Sequence, residues 1–332
     1  MRKKIIGVAG LGNVAVNNYL PFLAKQQDFQ LCLYSRNEEK AQSLAEKFQG
    51  VAVATPVDMM KKEPEVIFIL NREEYHLDLC RSFLSFHPKR LFVEKPLSAR
   101  NGQADVRETD FVEARDFLRE ARNAGTEVAM NFNYRFFDQT IRLSKIVTDK
   151  NLGELQQSSW MVNYACWSHM IDLLLSFSGG VTGIAGCSSE NIFRSGLEPA
   201  YDIAGSFRTA NGGSGTILGT AGTDFRHPLY NVTLSFERGI AVFSDLDASL
   251  TVYENGEDDA VTYSLNSNKS RWDRYSVSFE RSIGAYLENM NKGLPSLVTG
   301  MDGLRELQFE AALRCAATQG KYIELNKEFS LE

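Results

Sequence analysis

The turn Gly10-Leu11-Gly12-Asn13-Val14-Ala15 constrains this chain more than any other segment. It closes an apolar run, Ile5 to Val8, and opens a stretch of helical period. A strand that passes through such a turn into a helix belongs to a parallel βαβ unit. The first glycine permits the tight turn, the second lets a ligand approach the main chain, and a small third residue lets helix and sheet pack closely. The N–H groups and dipole at the start of that helix form a seat for phosphate. The pattern therefore implies a dinucleotide site built from Gly10, Gly12, Asn13 and Val14. A chance glycine-rich turn is the competing reading.

A second motif weighs against chance. Arg90-Leu91-Phe92-Val93 reads as another buried strand, and Glu94-Lys95-Pro96 closes it. This puts a lysine and a proline where the reactive end of the cofactor should lie. The two motifs together point to a nicotinamide oxidoreductase. A cis peptide is expected between Lys95 and Pro96, because cis X–Pro bonds serve tight turns and would aim the lysine into a cleft.

With 332 residues the chain is long for one core, which suggests two domains, 1–128 and 129–332. The first alternates apolar runs and helical stretches, as a parallel sheet requires. Strands are expected at Ile5–Ala9, Phe29–Tyr34, Val66–Leu70 and Leu91–Val93. Helices are expected at Asn13–Lys25, Glu38–Phe48, Tyr75–Phe86 and Phe111–Ala124, with a polar surface excursion at Asn101–Asp110. After Met130 comes a helix, Asp138–Thr148, and later a helix, Ala165–Phe177. Strands at Leu155–Val162, Val181–Ser188, Tyr201–Thr209, Ser214–Ala221, Tyr230–Phe236, Ile240–Phe243 and Leu250–Tyr253 are joined by turn signals such as Ala210-Asn211-Gly212-Gly213. Helices Trp272–Lys292 and Asp302–Gln319 and a short strand, Lys321–Leu325, follow. The fold class is α/β: an N-terminal Rossmann dinucleotide-binding domain, then an α+β domain with a large, mostly antiparallel open sheet.

The net charge of −6 argues against nucleic acid as a partner, since phosphate backbones want clustered Lys and Arg. No stretch of about 18 residues is free of charges and turn formers, so no membrane span is expected. Met1-Arg2-Lys3-Lys4 before Ile5 superficially suggests a signal peptide, but the apolar run is short and interrupted by Gly7, Gly10 and Gly12. The five cysteines are widely spaced and lack any C-x-x-C, the usage of reduced thiols in a cytoplasmic protein. Cys166 and His169 could form a metal pair or a thiolate with its base. With no further ligand nearby, no metal is expected.

The second strand ends at Tyr34-Ser35-Arg36-Asn37. NAD sites usually carry an acid here for the ribose hydroxyls. Ser35 removes that carboxylate and its repulsion toward a 2′-phosphate, and Arg36 offers a fork of donors. The alternative is a solvated loop arginine. The missing acid favours NADP, with NAD possible.

The chain resembles the Gfo/Idh/MocA oxidoreductases, the glucose–fructose oxidoreductase and inositol dehydrogenase group, over essentially its whole length. The resemblance rests on the glycine turn, Tyr75-His76, Glu94-Lys95-Pro96-Leu97, Asn131-Phe132-Asn133-Tyr134-Arg135-Phe136, Asn151-Leu152-Gly153-Glu154-Leu155 and His169-Met170-Ile171-Asp172-Leu173. It implies that Lys95 lies beside the nicotinamide and touches the substrate hydroxyl, where an ammonium can stabilise alkoxide character. It makes His169 the acid/base that takes the hydroxyl proton, a role suited to an imidazole near neutral pH. Glu94 would bind cofactor or position Lys95, Asn71 would join the cofactor-binding set, and His76 would join it near the phosphates or be structural rather than catalytic. Asn133, Arg135 and Tyr164 would face substrate.

The sequence departs from the family pattern one helical turn before His169, where an aspartate is usual and Ala165 stands. Asp172 could hold the imidazole instead, or Tyr164 could donate to substrate. The leading expectation is an NADP-preferring dehydrogenase acting on a secondary alcohol or ketone of a sugar, cyclitol or related polyol. A cofactor-binding regulator that has lost turnover is the alternative, and a hydrolase or epimerase using transient oxidation is a third. An antiparallel sheet with one bare face would want a partner, so a homodimer or homotetramer through that sheet is expected.

Overall fold

The computed structural model describes residues 3–193 and 199–332. The chain divides into two compact units. The first comprises Met1–Gly102, Thr109–Phe132 and Phe279–Leu304, and the second Gln103–Glu108, Asn133–Ser278 and Arg305–Glu332.

In the first unit six strands form one parallel sheet: β1 Lys4–Ala9, β2 Phe29–Tyr34, β3 Val51–Val53, β4 Val66–Ile69, β5 Arg90–Glu94 and β6 Glu127–Asn131. Their spatial order is β3-β2-β1-β4-β5-β6. Order reverses between β1 and β4, and ligands of such sheets bind beyond the carboxyl ends of the strands at that switch point. Both faces of the sheet are covered, so the strands read as continuous apolar runs: Ile6, Val8, Ile67, Phe68, Leu91 and Val93 are fully buried. The alternating helices are α2 Glu38–Lys47, α3 Pro56–Met60, α4 His76–Leu84 and α5 Glu108–Asn123.

The helix expected at Asn13–Lys25 forms with a defect. Ala15–Tyr19 is a π-helical turn that runs into α1, Leu20–Leu23, and the Leu20 N–H reaches back to the Ala15 carbonyl. Pro21 supplies the reason. It lacks an N–H and its ring would clash with the carbonyl of residue 17 in a regular α-helix, so the ladder widens ahead of it. The wide turn also presents Tyr19, fully buried, to Phe68, Phe92 and Phe279 at ring separations of 5.9, 6.3 and 5.6 Å.

A single cut after residue 128 does not describe the division. β6 extends the parallel sheet to Asn131, pairing with β5. Phe279–Leu304 also belongs to the first unit, because Phe279 packs on Tyr19, and Tyr286 sits 4.7 Å from Phe92. Nor is Asn101–Asp110 a plain surface excursion. Val106 and Asp110 are fully buried, and Asp110 accepts from the Ser98 hydroxyl at 3.2 Å and the Arg100 N–H at 2.7 Å.

The second unit holds a nine-stranded sheet: β7 Leu155–Asn163, β8 Val181–Phe193, β9 Ala200–Thr209, β10 Ser214–Thr220, β11 Tyr230–Phe236, β12 Gly239–Ser244, β13 Ser249–Glu254, β14 Val261–Ser264 and β15 Ile323–Glu324. The order is β14-β13-β12-β11-β7-β10-β9-β8-β15, antiparallel throughout except for the parallel β7–β10 pair. The turn at Ala210–Gly213 closes the β9–β10 hairpin, with the Thr209 N–H on the Gly213 carbonyl and Gly212 in the left-handed region. One face is covered. Trp160 and Phe243 point inward there, Phe177 of α7 (Trp167–Ser178) packs on Phe243, and Phe309 of α9 (Gly300–Gln319) packs on Phe207. The alternate residues Ser159, Met161, Ser206, Arg208, Thr216 and Leu218 are exposed. The remaining helices are α6 (Asp138–Asp149), α8 (Arg271–Lys292) and α10 (Leu325–Glu328). Asp247 caps α6, accepting from the Asp138 and Gln139 N–H groups at 3.0 and 2.6 Å.

All five cysteines are free thiols, with Cys32, Cys80 and Cys166 buried. Among the described residues no helix is long and apolar enough to cross a membrane, and no group of three or more His, Cys, Asp or Glu could hold a metal ion.

Candidate active site

Gly10 ends β1 with φ at +96°, and its N–H donates to the Tyr34 carbonyl at 3.0 Å. A Cβ at this position would lie 2.3 Å from the Asn71 nitrogen, so only glycine lets β1 and the end of β4 come together. At Gly12 a Cβ would meet nothing within 4 Å, so open space lies before the first helical turn. The Asn71 Oδ1 is buried and has no hydrogen-bond partner among the described residues. An acceptor left so costs about 1–3 kcal/mol unless a donor reaches it. The open cradle at Gly12 and the orphaned amide oxygen at the switch point fit a dinucleotide laid across this edge.

At the end of β2 the Ser35 Oγ accepts from the Asn37 N–H at 3.2 Å, and the Asn37 Oδ1 caps α2 by accepting from the Lys40 N–H at 2.9 Å. The Arg36 guanidinium lies 5.7 Å from the centre of the Tyr75 ring, both side chains being exposed. Among described residues no carboxylate stands at position 35 or 36 to oppose a 2′-phosphate.

The Glu94 carboxylate is buried and fully engaged. Its Oε1 accepts from the Tyr19 hydroxyl in a short bond and from the Asn131 Nδ2 at 2.8 Å, while its Oε2 accepts from the Lys95 N–H at 2.9 Å. Asn131 also donates to the Tyr19 oxygen at 2.6 Å and accepts from the Ser282 hydroxyl at 2.8 Å. Every polar atom thus finds a partner, which makes the network rigid rather than costly. It holds the main chain of Lys95 at the strand end, and the Lys95–Pro96 peptide is cis as expected. Beside it His76 is 1% exposed, with Nδ1 2.8 Å from the Pro96 carbonyl and Nε2 2.9 Å from the Asn71 carbonyl. Burial lowers its pKa, and the two carbonyls act against that shift.

In the second unit His169 is buried in α7, its ring stacked on Tyr134 at 4.1 Å and 12°. The Tyr134 hydroxyl donates to the Cys166 Sγ at 3.2 Å, and burial holds its pKa well above the ordinary tyrosine value. Both oxygens of Asp172 accept from Arg135, Oδ2 from Nε at 2.8 Å and Oδ1 from Nη2 at 2.5 Å. This is the planar, two-bond geometry that arginine suits. Asn133 donates to the Ser278 hydroxyl at 2.7 Å, and its own Oδ1 has no partner among the described residues. Tyr164 gives its one proton to the Tyr201 carbonyl at 2.7 Å. Ala165 sits in a 3₁₀ turn, Tyr164–Cys166, whose entry is capped by Asn163 accepting the Ala165 N–H at 2.8 Å.

The structure therefore gathers Gly10, Asn71, His76, Glu94 and Lys95 at one sheet edge, with Ser35 and Arg36 at the end of β2 beside β1. It gathers His169, Asp172, Arg135 and Tyr134 around α7. Sequence reasoning missed Tyr19 and Tyr134 as parts of these clusters. Tyr19 carries a readable signal, being a large polar-tipped ring on the inner face of the first helix. Tyr134 carries none beyond its place in a motif.

Residues 4–132 match the sequence model of an oxidoreductase family with an NAD-binding Rossmann fold, named GFO_IDH_MocA. This segment is a Gfo/Idh/MocA-type NAD-binding domain. Over both units the fold is shared with solved structures. A super-repressor mutant of Gal80p from Saccharomyces cerevisiae superposes with a TM-score of 0.81 at 15% identity, over 99% of this chain and 100% of that one. Levoglucosan dehydrogenase in complex with NADH and levoglucosan gives 0.79 at 14% identity, over 98% and 100%. The WlbA dehydrogenase from Bordetella pertussis, in complex with NADH and UDP-GlcNAcA, gives 0.78 at 15% identity, over 97% of each chain. No curated protein sequence matches this one.

Proposed function

We infer that the protein is an NADP-preferring dehydrogenase interconverting a secondary alcohol and a ketone on a sugar, cyclitol or related polyol. The observation that carries this reading is the Glu94 network, which devotes a buried carboxylate, Tyr19 and Asn131 to fixing the main chain of one lysine at the end of β5. A lysine serving only solubility needs no such anchor. Gly10, Gly12, Asn13 and Val14 hold the pyrophosphate at the helix start, and Asn71 offers its free oxygen to the bound cofactor. Ser35 and Arg36 receive the 2′-phosphate. The nicotinamide, when bound, supplies the hydride chemistry.

Lys95 steadies the substrate oxygen as alkoxide character develops, and His169 takes or returns the hydroxyl proton. Stacking on Tyr134 fixes the plane of the imidazole. The Asp172–Arg135 pair stiffens the same helix face, and Arg135, Asn133 and Tyr164 line the substrate side. Two of the similar folds were solved with levoglucosan or UDP-GlcNAcA, which supports a carbohydrate as substrate. The protein works in the cytoplasm as a homodimer or homotetramer, two copies joining through the bare face of the nine-stranded sheet. Light scattering on wild type and on a Leu218→Asp variant tests the pairing.

The second reading is a cofactor-binding regulator. Ala165 in place of the usual aspartate favours it, and the Gal80p fold shows that a repressor can be built this way. A screen of sugars and polyols with NADP and NAD, followed by absorbance of the reduced cofactor, separates the two. Turnover of any polyol supports the enzyme. Tight NADP binding by calorimetry with no turnover across the screen supports the regulator.

A further inference from the structure

We propose that His76 is a positioning residue that straps the Lys95–Pro96 turn to the end of β4, chiefly through the bond between its Nδ1 and the Pro96 carbonyl. The proposal deepens the dehydrogenase reading and rests on it for its kinetic consequence. His76 opens α4 almost wholly buried, and its two ring nitrogens face two main-chain carbonyls, Pro96 at 2.8 Å and Asn71 at 2.9 Å. A neutral imidazole has one N–H and donates to one carbonyl, so the ring lies between two main-chain segments and is bonded to one of them. These are the two segments on which the site depends. Asn71 is the residue against which Gly10 packs, and Pro96 directly follows the lysine.

A bond to Pro96 matters more than one to Asn71 for a chemical reason. Proline has no N–H, so the turn cannot be tied at that residue through its own amide, and its carbonyl is the handle that remains. Asn71 is held independently, because the preceding Leu70 N–H donates to the Ala9 carbonyl and the main chain is wedged against Gly10. Glu94 grips the Lys95 turn from one side through the Lys95 N–H, and His76 grips it from the other through the Pro96 carbonyl. Only an imidazolium could donate to both carbonyls. Burial opposes the cation, while the carboxylates of Glu94 and Glu73 and the carbonyls themselves favour it.

Isosteric variants dissect the strap. Asn places its amide nitrogen near Nδ1 and can keep the Pro96 bond, whereas Gln places it near Nε2 and can keep only the Asn71 bond. The three variants His76→Asn, His76→Gln and His76→Ala are compared by kcat on a polyol substrate. They are also compared by the rate at which an amine-acylating reagent modifies Lys95 in the cofactor-free protein, read by peptide mass spectrometry. Loosening the turn by about 1 Å costs about 100-fold in rate. His76→Gln and His76→Ala should therefore lose about 10–100-fold in kcat and label several-fold faster at Lys95, with His76→Asn near wild type in both. Asn and Gln variants that behave alike would overturn the proposal, as would an Ala variant with wild-type turnover and labelling. If the wild type turns over no polyol, the dehydrogenase reading fails while labelling still decides the strap. Faster Lys95 modification in Gln than in Asn upholds it, and equal rates overturn it.

Discussion

Glu94→Gln tests whether the buried carboxylate, rather than a mere polar side chain of that shape, fixes Lys95. The glutamine keeps the volume and can turn one oxygen toward Tyr19 and Asn131, so two of the bonds at Glu94 survive in neutral form. Hydrogen bonds to charged groups contribute about 1.5–3 kcal/mol and neutral ones about 0.5–1.5, so each survivor weakens by about 1 kcal/mol. The other end of the amide must then point N–H groups at the Lys95 N–H, which the carboxylate accepts from at 2.9 Å. A buried donor left without an acceptor costs about 1–3 kcal/mol. The sum is about 3–5 kcal/mol, a large part of an ordinary stability of about 5–15 kcal/mol. At about 2–4 °C per kcal/mol, the melting temperature should fall by at least about 6 °C. All three tryptophans, Trp160, Trp167 and Trp272, lie in the second unit, so their emission does not watch this network. Scanning calorimetry does. A variant melting within about 1 °C of wild type would refute the reasoning, because the Lys95 N–H donates to the Glu94 carboxylate. Tyr19→Phe removes the hydroxyl's bond to Glu94 and the bond it accepts from Asn131 but leaves the carboxylate paired with two donors, so the loss should be smaller, about 1–3 kcal/mol.

Arg36→Ala should weaken NADP binding by at least tenfold while leaving NAD binding nearly unchanged, which calorimetric titration of both cofactors measures. Equal affinities in the wild type would remove the preference altogether. His169→Ala should lower kcat by about 10²–10⁴-fold with cofactor affinity intact. The companion Ala165→Asp should raise activity if the missing acid limits the site, and change little if the Asp172 side already orients the ring. Asp172→Ala removes the two-bond carboxylate partner of Arg135, whose side chain is only 21% exposed. Breaking such a pair costs about 3–5 kcal/mol, and Trp167 emission during urea unfolding should report a loss near the lower figure. The pKa of His76 lies below its ordinary 6.5 in the folded protein, so the unfolded chain binds the proton more readily. Its contribution to stability is complete above about 6.5 and is lost as pH falls through the folded value. Urea midpoints should decline over that window in the wild type, and His76→Asn should flatten that part of the decline.

The Rossmann unit was legible because its determinants are local. A strand, a G-x-G-x-x-A turn and a helix lie in consecutive residues, and both faces of the sheet are covered, so apolar runs mark the strands without help from partners. The meander of the second unit was legible for the same reason: period-two burial and glycine turns announce each hairpin. Lys95, His169 and the Ser35-Arg36 pair stood out through residue type and place in a motif, and the roles given to them belong to the proposed function. What the sequence could not carry was every fact that depends on distant segments. Pro21 forces the helix to widen, but only packing decides that the wider turn delivers Tyr19 to Glu94. Asp172 stands out by its place on the helix of His169, and only the fold sets Arg135 across both its oxygens, from 37 residues away. The return of Phe279 and Tyr286 to a core formed by strands far earlier in the chain is likewise a fact of packing that no local window records. Periodicity fixes which face of an element is apolar. Which polar atom meets which, across that face, is settled by the register of packed elements, and short sequence windows hold no record of it.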